Sequence, residues 1–388
     1  MQSNSFDHVA IMAGVEVPYR RHPEPGSTGD LLAQAFGAAL AQSGFAARDI
    51  DGLGVASFTL SPDHAIDLAW RLGLSPRWCM DDCHGGASAI NLLQHAIRAV
   101  QHGDANVIVL VSGDRFEPAD FRHLVDNYNL TTRDWLSPLQ TGGPNGLFAM
   151  LTQRHAKRHG LRREDYGALC VAQRAWAALN PHAVYRARLT LDDYLAAPSV
   201  ADPLRRFDCV PVVSGANAIV VARSDLARGP SNVRVRALQC LYNADHQAGN
   251  GLETSLKRIA DILWHQAGVG PQDIDIASVY DDYPVMALAQ LADLGFAPDG
   301  DLRALLARIT SRELPVNTSG GQLSAGQAGA AGGMHGLVEA IVQLQGAAGE
   351  RQIKDARLAV VSGYGMVEYR YGMCANAVVL EKAAGDTP

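Results

Sequence analysis

The strongest constraint on how this chain can fold is that it runs through the same order of elements twice. Near the front, SGFAARDIDGLGVAS (Ser43 to Ser57) passes from a helix end through an Asp-Ile-Asp turn into a strand. Near residue 270, AGVGPQDIDIASVYD (Ala267 to Asp281) does the same. Each is followed by a Gly/Ala-rich turn that opens a helix, CHGGASAINLLQHAI from Cys83 and GAAGGMHGLVEAIVQL from Gly329. Each helix then leads to a strand ending in Ser-Gly, VIVLVSGD (Val107 to Asp114) and LAVVSGYG (Leu358 to Gly365). Three coincidences in register read as a duplicated α/β unit.

Apolar runs rich in β-branched residues predict strands over Val107 to Ser112, Ala218 to Ala222, Leu358 to Ser362 and Ala377 to Leu380. Helical periods cover Leu31 to Gln42, Ala87 to His102, Glu253 to Gln266 and His335 to Leu344. The expected organisation is an N-terminal half, 1–230, and a C-terminal half, 231–388. The stretch from about Arg115 to Ala201 fits neither repeat and reads as an insertion lying over the first half. Its basic run, HAKRHGLRRED from His155 to Asp165, reads as a solvated helix face. A net charge of −7 argues against nucleic acid as the main partner. The chain lacks a run of 18 apolar residues, its start does not resemble a secretory signal, and its six cysteines have no zinc or disulfide spacing. A cytoplasmic protein is expected.

Cys83, in DDCHGGASAI, directly precedes a helix. A thiol there has its thiolate favoured by the helix dipole and by free backbone N–H groups, which makes it nucleophilic. Gly85 and Gly86 let the backbone approach a bound thioester, and the same N–H groups suit a tetrahedral oxyanion. Asp81 and Asp82 act against a low thiol pKa through like charge. A buried structural cysteine is the bland alternative.

Four segments resemble the thiolase superfamily, in its sterol-carrier or lipid-transfer branch. Cys83 with Gly86 and Ala89 is similar to the nucleophile segment. FDCVPVVSGANAIVVAR (Phe207 to Arg223) resembles the Cys-Pro-x-Ser-Asp-Gly-Ala-Ala segment. VYDDYPVMALAQLADLGF (Val279 to Phe296) resembles the start of the second half's active-site edge. NTSGGQLSAGQAGAAGGMHGLVEAIVQLQG (Asn317 to Gly346) is similar to the Asn-x-x-Gly-Gly … Gly-His-Pro-x-Gly region. The resemblance implies the thiolase α/β fold, two duplicated halves with mixed sheets plus an insertion (loop) domain. It also implies a homodimer core, coenzyme A as substrate with no tightly bound cofactor or metal, and a separate zinc-ribbon/OB-fold (DUF35-type) partner subunit.

This chain departs from the family's relay. Gln327 stands where thiolases carry the His of Gly-His-Pro, and a neutral amide cannot take a proton near pH 7. The second catalytic Cys would fall near Gly363 and is absent; Cys374 reads as core. The Asn/His-x-x-Phe motif appears as Tyr280-Asp281-Asp282-Tyr283, whose two carboxylates read as a solvated turn pair, the alternative being that one raises the pKa of the other. Three readings follow. In the first, Cys83 forms an acyl-enzyme from a bulky, even aromatic, β-oxoacyl-CoA, with Tyr280, His84, His335 or CoA itself as base. In the second, the chain resembles retro-aldolases acting on a β-hydroxyacyl-CoA made from a steroid side chain, which use two tyrosines aligned with Tyr280 and Gln327. In the third, it is a non-catalytic acyl-CoA-binding subunit. The first is favoured on sequence. Oxyanion contacts are then expected from the backbone at Gly86, Gly363, Tyr364 and Gly365 together with Gln327 and Tyr280, with Asn317 shaping a polar turn near the thioester. Arg154, Lys157, Arg158, Arg162 and Arg163 are candidates for the CoA phosphates.

Overall fold

The computed structural model describes residues 5–127, 130–139, 143–227, 232–244, 251–368 and 371–383. Strands β1 (Val9–Arg20), β2 (Gly52–Ala56), β3 (Trp78–Asp81) and β4 (Val107–Asp114) precede the small hairpin of β5 (Ser199–Ala201) and β6 (Leu204–Arg205). Then come β7 (Ser214–Arg223), β8 (Val233–Tyr242), β9 (Ile276–Ser278), β10 (Leu358–Glu368) and β11 (Tyr371–Lys382). Nine of them form one sheet in the order β3-β2-β4-β7-β1-β8-β11-β10-β9.

The duplication is visible in that order. Reading inward from each edge, β2-β4-β7-β1 corresponds to β9-β10-β11-β8. The first pair in each set is parallel and the next two are antiparallel. The two sets meet through Ile11 opposite Val233, and β3 is an addition at one edge. The expected boundary at residue 230 falls between β7 and β8, among residues outside those described.

One face of the sheet receives the two repeat helices, Ser88–His102 and Ala331–Leu344. Leu92, Leu93, Ile97, Leu337 and Ile341 share a core with Ile108, Ile219, Leu238, Val361 and Val378, residues drawn from both halves. Burying one such Leu or Ile contributes roughly 1.5–3 kcal/mol, so this shared core ties the halves together. Helix Thr28–Ser43 covers the opposite face of the first half through Leu32, Ala35 and Phe36; a capping box between Ser27 and Asp30 starts it and Gly44 ends it. Helices Leu256–Ala267, Pro284–Asp293 and Leu302–Thr310 cover the second half.

Between β4 and β7 the chain is mostly helical, with Pro118–Asp126, Pro144–His159, Arg163–Ala177 and Leu191–Ala196. This is the segment that fits neither repeat. Its helix Pro144–His159 buries Leu147, Phe148 and Leu151 against the second half's core, while Lys157, Arg158 and His159 occupy its last turn. Cations there complement the negative end of the helix dipole. Helix Ala331–Leu344 begins a turn earlier than its apolar period predicts, because Ala331, Gly332 and Gly333 are already helical and buried. Among the described residues no helix is long and apolar enough to cross a membrane.

Candidate active site

Where the insertion meets the two halves, a cavity of about 240 Å³ opens. Its walls are apolar: Phe58 after β2, Phe121, Leu124 and Val125 from helix Pro118–Asp126, Phe148 from helix Pro144–His159, and Val210 and Val212 before β7. Its polar groups are Tyr280, Asp282, Tyr283, Cys209, Asn145 and Gln327. An apolar slot with a few convergent polar groups is the usual form of a small-molecule site.

Tyr280 is set by its neighbours. A methyl group built on Gly86 would overlap the Tyr364 carbonyl oxygen and lie 2.5 Å from Tyr280 Cζ, so a glycine at 86 is what admits the ring. Gln327 Nε2 donates to the Tyr280 hydroxyl oxygen at 2.8 Å. The backbone of Gln327 is itself pinned, its N–H donating to Pro211 O at 3.0 Å and its carbonyl accepting from Val213 N at 3.1 Å. Asn317, in the left-handed region at φ 50, accepts from Val279 N through Oδ1 at 2.8 Å, fixing the residue before Tyr280.

The next three residues differ sharply in environment. Asp281 is buried and accepts from Gln322 N at 2.8 Å and Gln173 Nε2 at 3.0 Å; burial pushes its carboxyl up to about 7 despite these bonds. Asp282 is also buried, yet it stands on the pocket wall, and its Oδ1 accepts from Tyr283 N at 3.0 Å. Tyr283 donates its hydroxyl to Asn145 Oδ1 at 2.7 Å and stacks on Phe148 at 4.1 Å between centroids. Reading the two aspartates as a solvated turn is therefore corrected: both are buried, because the helix after them carries the second half's core up to Pro284. Burial pushes the Cys209 thiol up to about 12.

Asp114, at the end of β4, ties two walls to the sheet. It accepts from Phe58 N and Ala330 N, each at 2.8 Å, and from Thr59 Oγ1 at 2.7 Å. Burial pushes its carboxyl up to about 6.

The other sequence candidates lie elsewhere. Cys83 is exposed and does not line the cavity, whose wall takes up the chain at Gly85 and Gly86. A 3-10 turn, Gly85–Ala87, separates Cys83 from helix Ser88–His102. His84 points to Asp82, with Nδ1 3.0 Å from both carboxyl oxygens, and its ring lies 5.4 Å from Tyr242. The hydrogen bond that His84 donates to Asp82 raises the His84 pKa. Gly363, Tyr364 and Gly365 are paired in β10 with Asn376, Ala375 and Cys374. They pack on the turn His84–Ala87, where a methyl on Gly365 would overlap the His84 carbonyl oxygen. His335 is buried between Glu16 Oε2, 2.8 Å from Nδ1, and Ser319 Oγ, 2.7 Å from Nε2. Burial works against the charge on Glu16, but hydrogen bonds from His182 and His335 hold its pKa down at about 2. Arg154, Lys157, Arg158 and Arg162 are exposed towards and beyond the end of helix Pro144–His159, past Phe148 in the chain. Arg163 is engaged with Asp208 at 3.3 Å. A second group of cations, Arg21, Arg174 and Arg206, gathers around the Tyr185 ring. Among the described residues no group of three His, Cys, Asp or Glu is placed to hold a metal ion.

The C-terminal part of the chain, residues 241–381, matches the family described as thiolase C-terminal domain-like. Over 340 residues it is 32% identical to the 17-hydroxy-3-oxo-4-pregnene-20-carboxyl-CoA lyase of Mycobacterium tuberculosis, covering 81% of this chain and 86% of that one. The chain belongs to the thiolase superfamily. Within it, the steroid side-chain-cleaving aldolase of Thermomonospora curvata is 29% identical, over 87% of this chain and 90% of that one. The thiolase fold is shared with the solved Ltp2-ChsH2(DUF35) aldolase, at a TM-score of 0.82 and 26% identity, covering 97% and 98% of the two chains. Human mitochondrial 3-ketoacyl-CoA thiolase in complex with CoA has the same fold, at a TM-score of 0.70 and 17% identity, over 98% and 99%.

Sequence reasoning named Asp282 but placed it in a solvated turn, and it missed Asn145, Phe148 and Glu16. The signal for Phe148 was present: Leu147, Phe148 and Leu151 form an apolar stripe on the helix that carries the basic run.

Proposed function

We propose that the protein cleaves a bulky β-hydroxyacyl-CoA by a retro-aldol reaction, releasing a ketone and a shorter acyl-CoA. The observation that carries this reading is the Tyr280 hydroxyl, held by Gln327 in an apolar pocket from whose wall Cys83 is absent. Retro-aldol cleavage needs no covalent acyl-enzyme. It needs a proton acceptor for the β-hydroxyl and hydrogen-bond donors for the thioester oxygen, which takes up charge as the C–C bond breaks. Gln327 donates its N–H to the Tyr280 oxygen and so orients the phenol, whose O–H is then the donor to the reacting substrate. The aromatic and aliphatic walls suit a large apolar acyl group. The relatives' names, a pregnene-carboxyl-CoA lyase and a steroid side-chain-cleaving aldolase, support a polycyclic substrate. The Ltp2-ChsH2(DUF35) assembly supports a DUF35-type partner subunit for this chain as well.

A thiolase reading, with Cys83 as nucleophile, draws on the place of that residue just before the pocket-lining Gly85 and Gly86, and on the 26% identical acetyl-CoA acetyltransferase of Methanothermobacter thermautotrophicus. One experiment separates the two. Purified wild type, Tyr280→Phe and Cys83→Ala are incubated with 17-hydroxy-3-oxo-4-pregnene-20-carboxyl-CoA and with β-oxoacyl-CoA esters. Ketone release is followed by liquid chromatography, and acylation by intact mass. On the retro-aldol reading Tyr280→Phe loses roughly 10²–10³-fold in kcat, the usual range for a lost transition-state donor, and Cys83→Ala stays near wild type. An acyl adduct on Cys83 that CoA discharges would overturn it.

A further inference from the structure

We infer that Asp282 is the proton carrier of this pocket, taking the β-hydroxyl proton of the substrate as the C–C bond breaks and returning it to the α-carbon of the product. The inference rests on the retro-aldol reading and names a catalytic residue that the thiolase resemblance does not supply.

The argument is one of placement and availability. A retro-aldol pocket must hold a group that can both accept and release a proton beside the breaking bond. Among the described residues lining the cavity, the titratable ones are Asp282, Tyr280, Tyr283 and Cys209. Tyr283 has its proton committed to Asn145, and Tyr280 is fixed as a donor by the Gln327 amide. Burial holds the Cys209 thiol as a neutral S–H. Asp282 differs. It is 8% exposed, it stands on the wall, and its hydrogen bonds among the described residues are to the main chain of its own turn. The adjacent Asp281 gives the contrast: its oxygens are taken by Gln322 N, Leu323 N and Gln173, and it does not line the cavity. Two neighbouring carboxyls are thus sorted, one into structure and one onto the pocket wall.

The step balances with one group. The Asp282 carboxylate takes the hydroxyl proton, and the C–C electron pair moves onto the acyl-CoA fragment as an enolate while the carbonyl of the ketone forms. Asp282, now a carboxylic acid, protonates the enolate carbon and is a carboxylate again. Burial, and then the charge of Asp281, raise its pKa well above the usual carboxylate range, which makes the ionised form a stronger base. The rate is therefore expected to climb with pH as Asp282 ionises. The titratable groups facing it are Asp281, Tyr280 and Tyr283 on its own turn and Cys209 from the segment before β7.

The test uses the full chain, wild type and Asp282→Asn. Cleavage of 17-hydroxy-3-oxo-4-pregnene-20-carboxyl-CoA is measured across pH, and deuterium uptake from D2O into the α-carbon of propionyl-CoA is measured alone. The exchange reports the protonation half of the reaction without a C–C bond to break. Asp282→Asn is expected to lower both rates by ~100-fold or more and to lose the rising limb, with an unchanged circular dichroism spectrum. A wild type that neither cleaves nor exchanges overturns the retro-aldol reading itself. A wild type that does both, beside an Asp282→Asn variant with equal rates and the same rising limb, overturns the inference alone. If Asp282→Asn does not fold, Asp282→Glu is read instead: a displaced rising limb is expected, and an unmoved one overturns the inference.

Discussion

Replacing Gly86 with Ala tests the geometry on which the site depends. The added methyl meets two neighbours at once: the Tyr364 carbonyl oxygen, held in the sheet by β11, and the Tyr280 ring, whose Cζ would lie 2.5 Å away. Ordinary carbon–carbon contact is about 3.5 Å or more, so the pair must separate by about 1 Å. The strand oxygen cannot yield without breaking the β10–β11 ladder, and the ring is therefore the part that moves. It is anchored at its hydroxyl by Gln327. A displacement of about 1 Å at a reacting group costs on the order of 10²-fold in rate, and overpacking of this kind costs roughly 1–3 kcal/mol of stability. The assay pairs kcat for acyl-CoA cleavage with the thermal midpoint, against Gly37→Ala as the control, since a methyl at Gly37 meets nothing within 4 Å. Gly37→Ala in a helix is expected to be neutral or stabilising by up to ~1 kcal/mol. A Gly86→Ala enzyme with wild-type kcat and wild-type midpoint would refute the placement of Tyr280 against Gly86.

The remaining predictions concern buried charge. Burial raises Asp114 to about 6 and Asp281 and Asp293 to about 7, from 3.8 in an unfolded chain, so the folded state holds these protons more tightly. Stability from this source is complete below pH 3.8 and is lost as pH rises towards 7. Asp293→Asn keeps an acceptor for Thr254 N, 2.6 Å away, and is expected to flatten the fall in thermal midpoint between pH 4 and 7.5; an unchanged slope would count against the burial of that carboxyl. Glu16→Gln leaves His335 without its carboxylate in a buried site, at a cost of roughly 3–5 kcal/mol, read by urea unfolding at pH 7. Because the folded Glu16 pKa lies near 2 against 4.5 unfolded, its contribution is present above pH 4.5 and fades as pH falls towards 2.

The chain's sequence alone determined the fold, because duplication is a pattern in order rather than in space. The Asp-Ile-Asp turns, the Gly/Ala helix starts and the Ser-Gly strand ends map onto equivalent places in the two sets β2-β4-β7-β1 and β9-β10-β11-β8. Strand and helix interiors were legible through hydrophobic period. Their ends were less so: β10 runs to Glu368 beyond the apolar stretch, since pairing with β11 rather than hydrophobicity sets its length. Tyr280 and Gln327 were recognisable as a pair because each replaces a polar position of the family pattern, and the structure joins them by a hydrogen bond. What only the tertiary structure decided is which neighbour faces substrate. Cys83 and Gly86 are three residues apart, yet the turn between them puts one at the surface and the other under Tyr280. Asp281 and Asp282 are adjacent, yet one caps the helix Gly321–Ala325 and the other stands on the pocket wall. Sequence spacing fixes which residues are close along the chain. The direction of each side chain is fixed by what the insertion and the opposite half press against it, and those contacts are long-range.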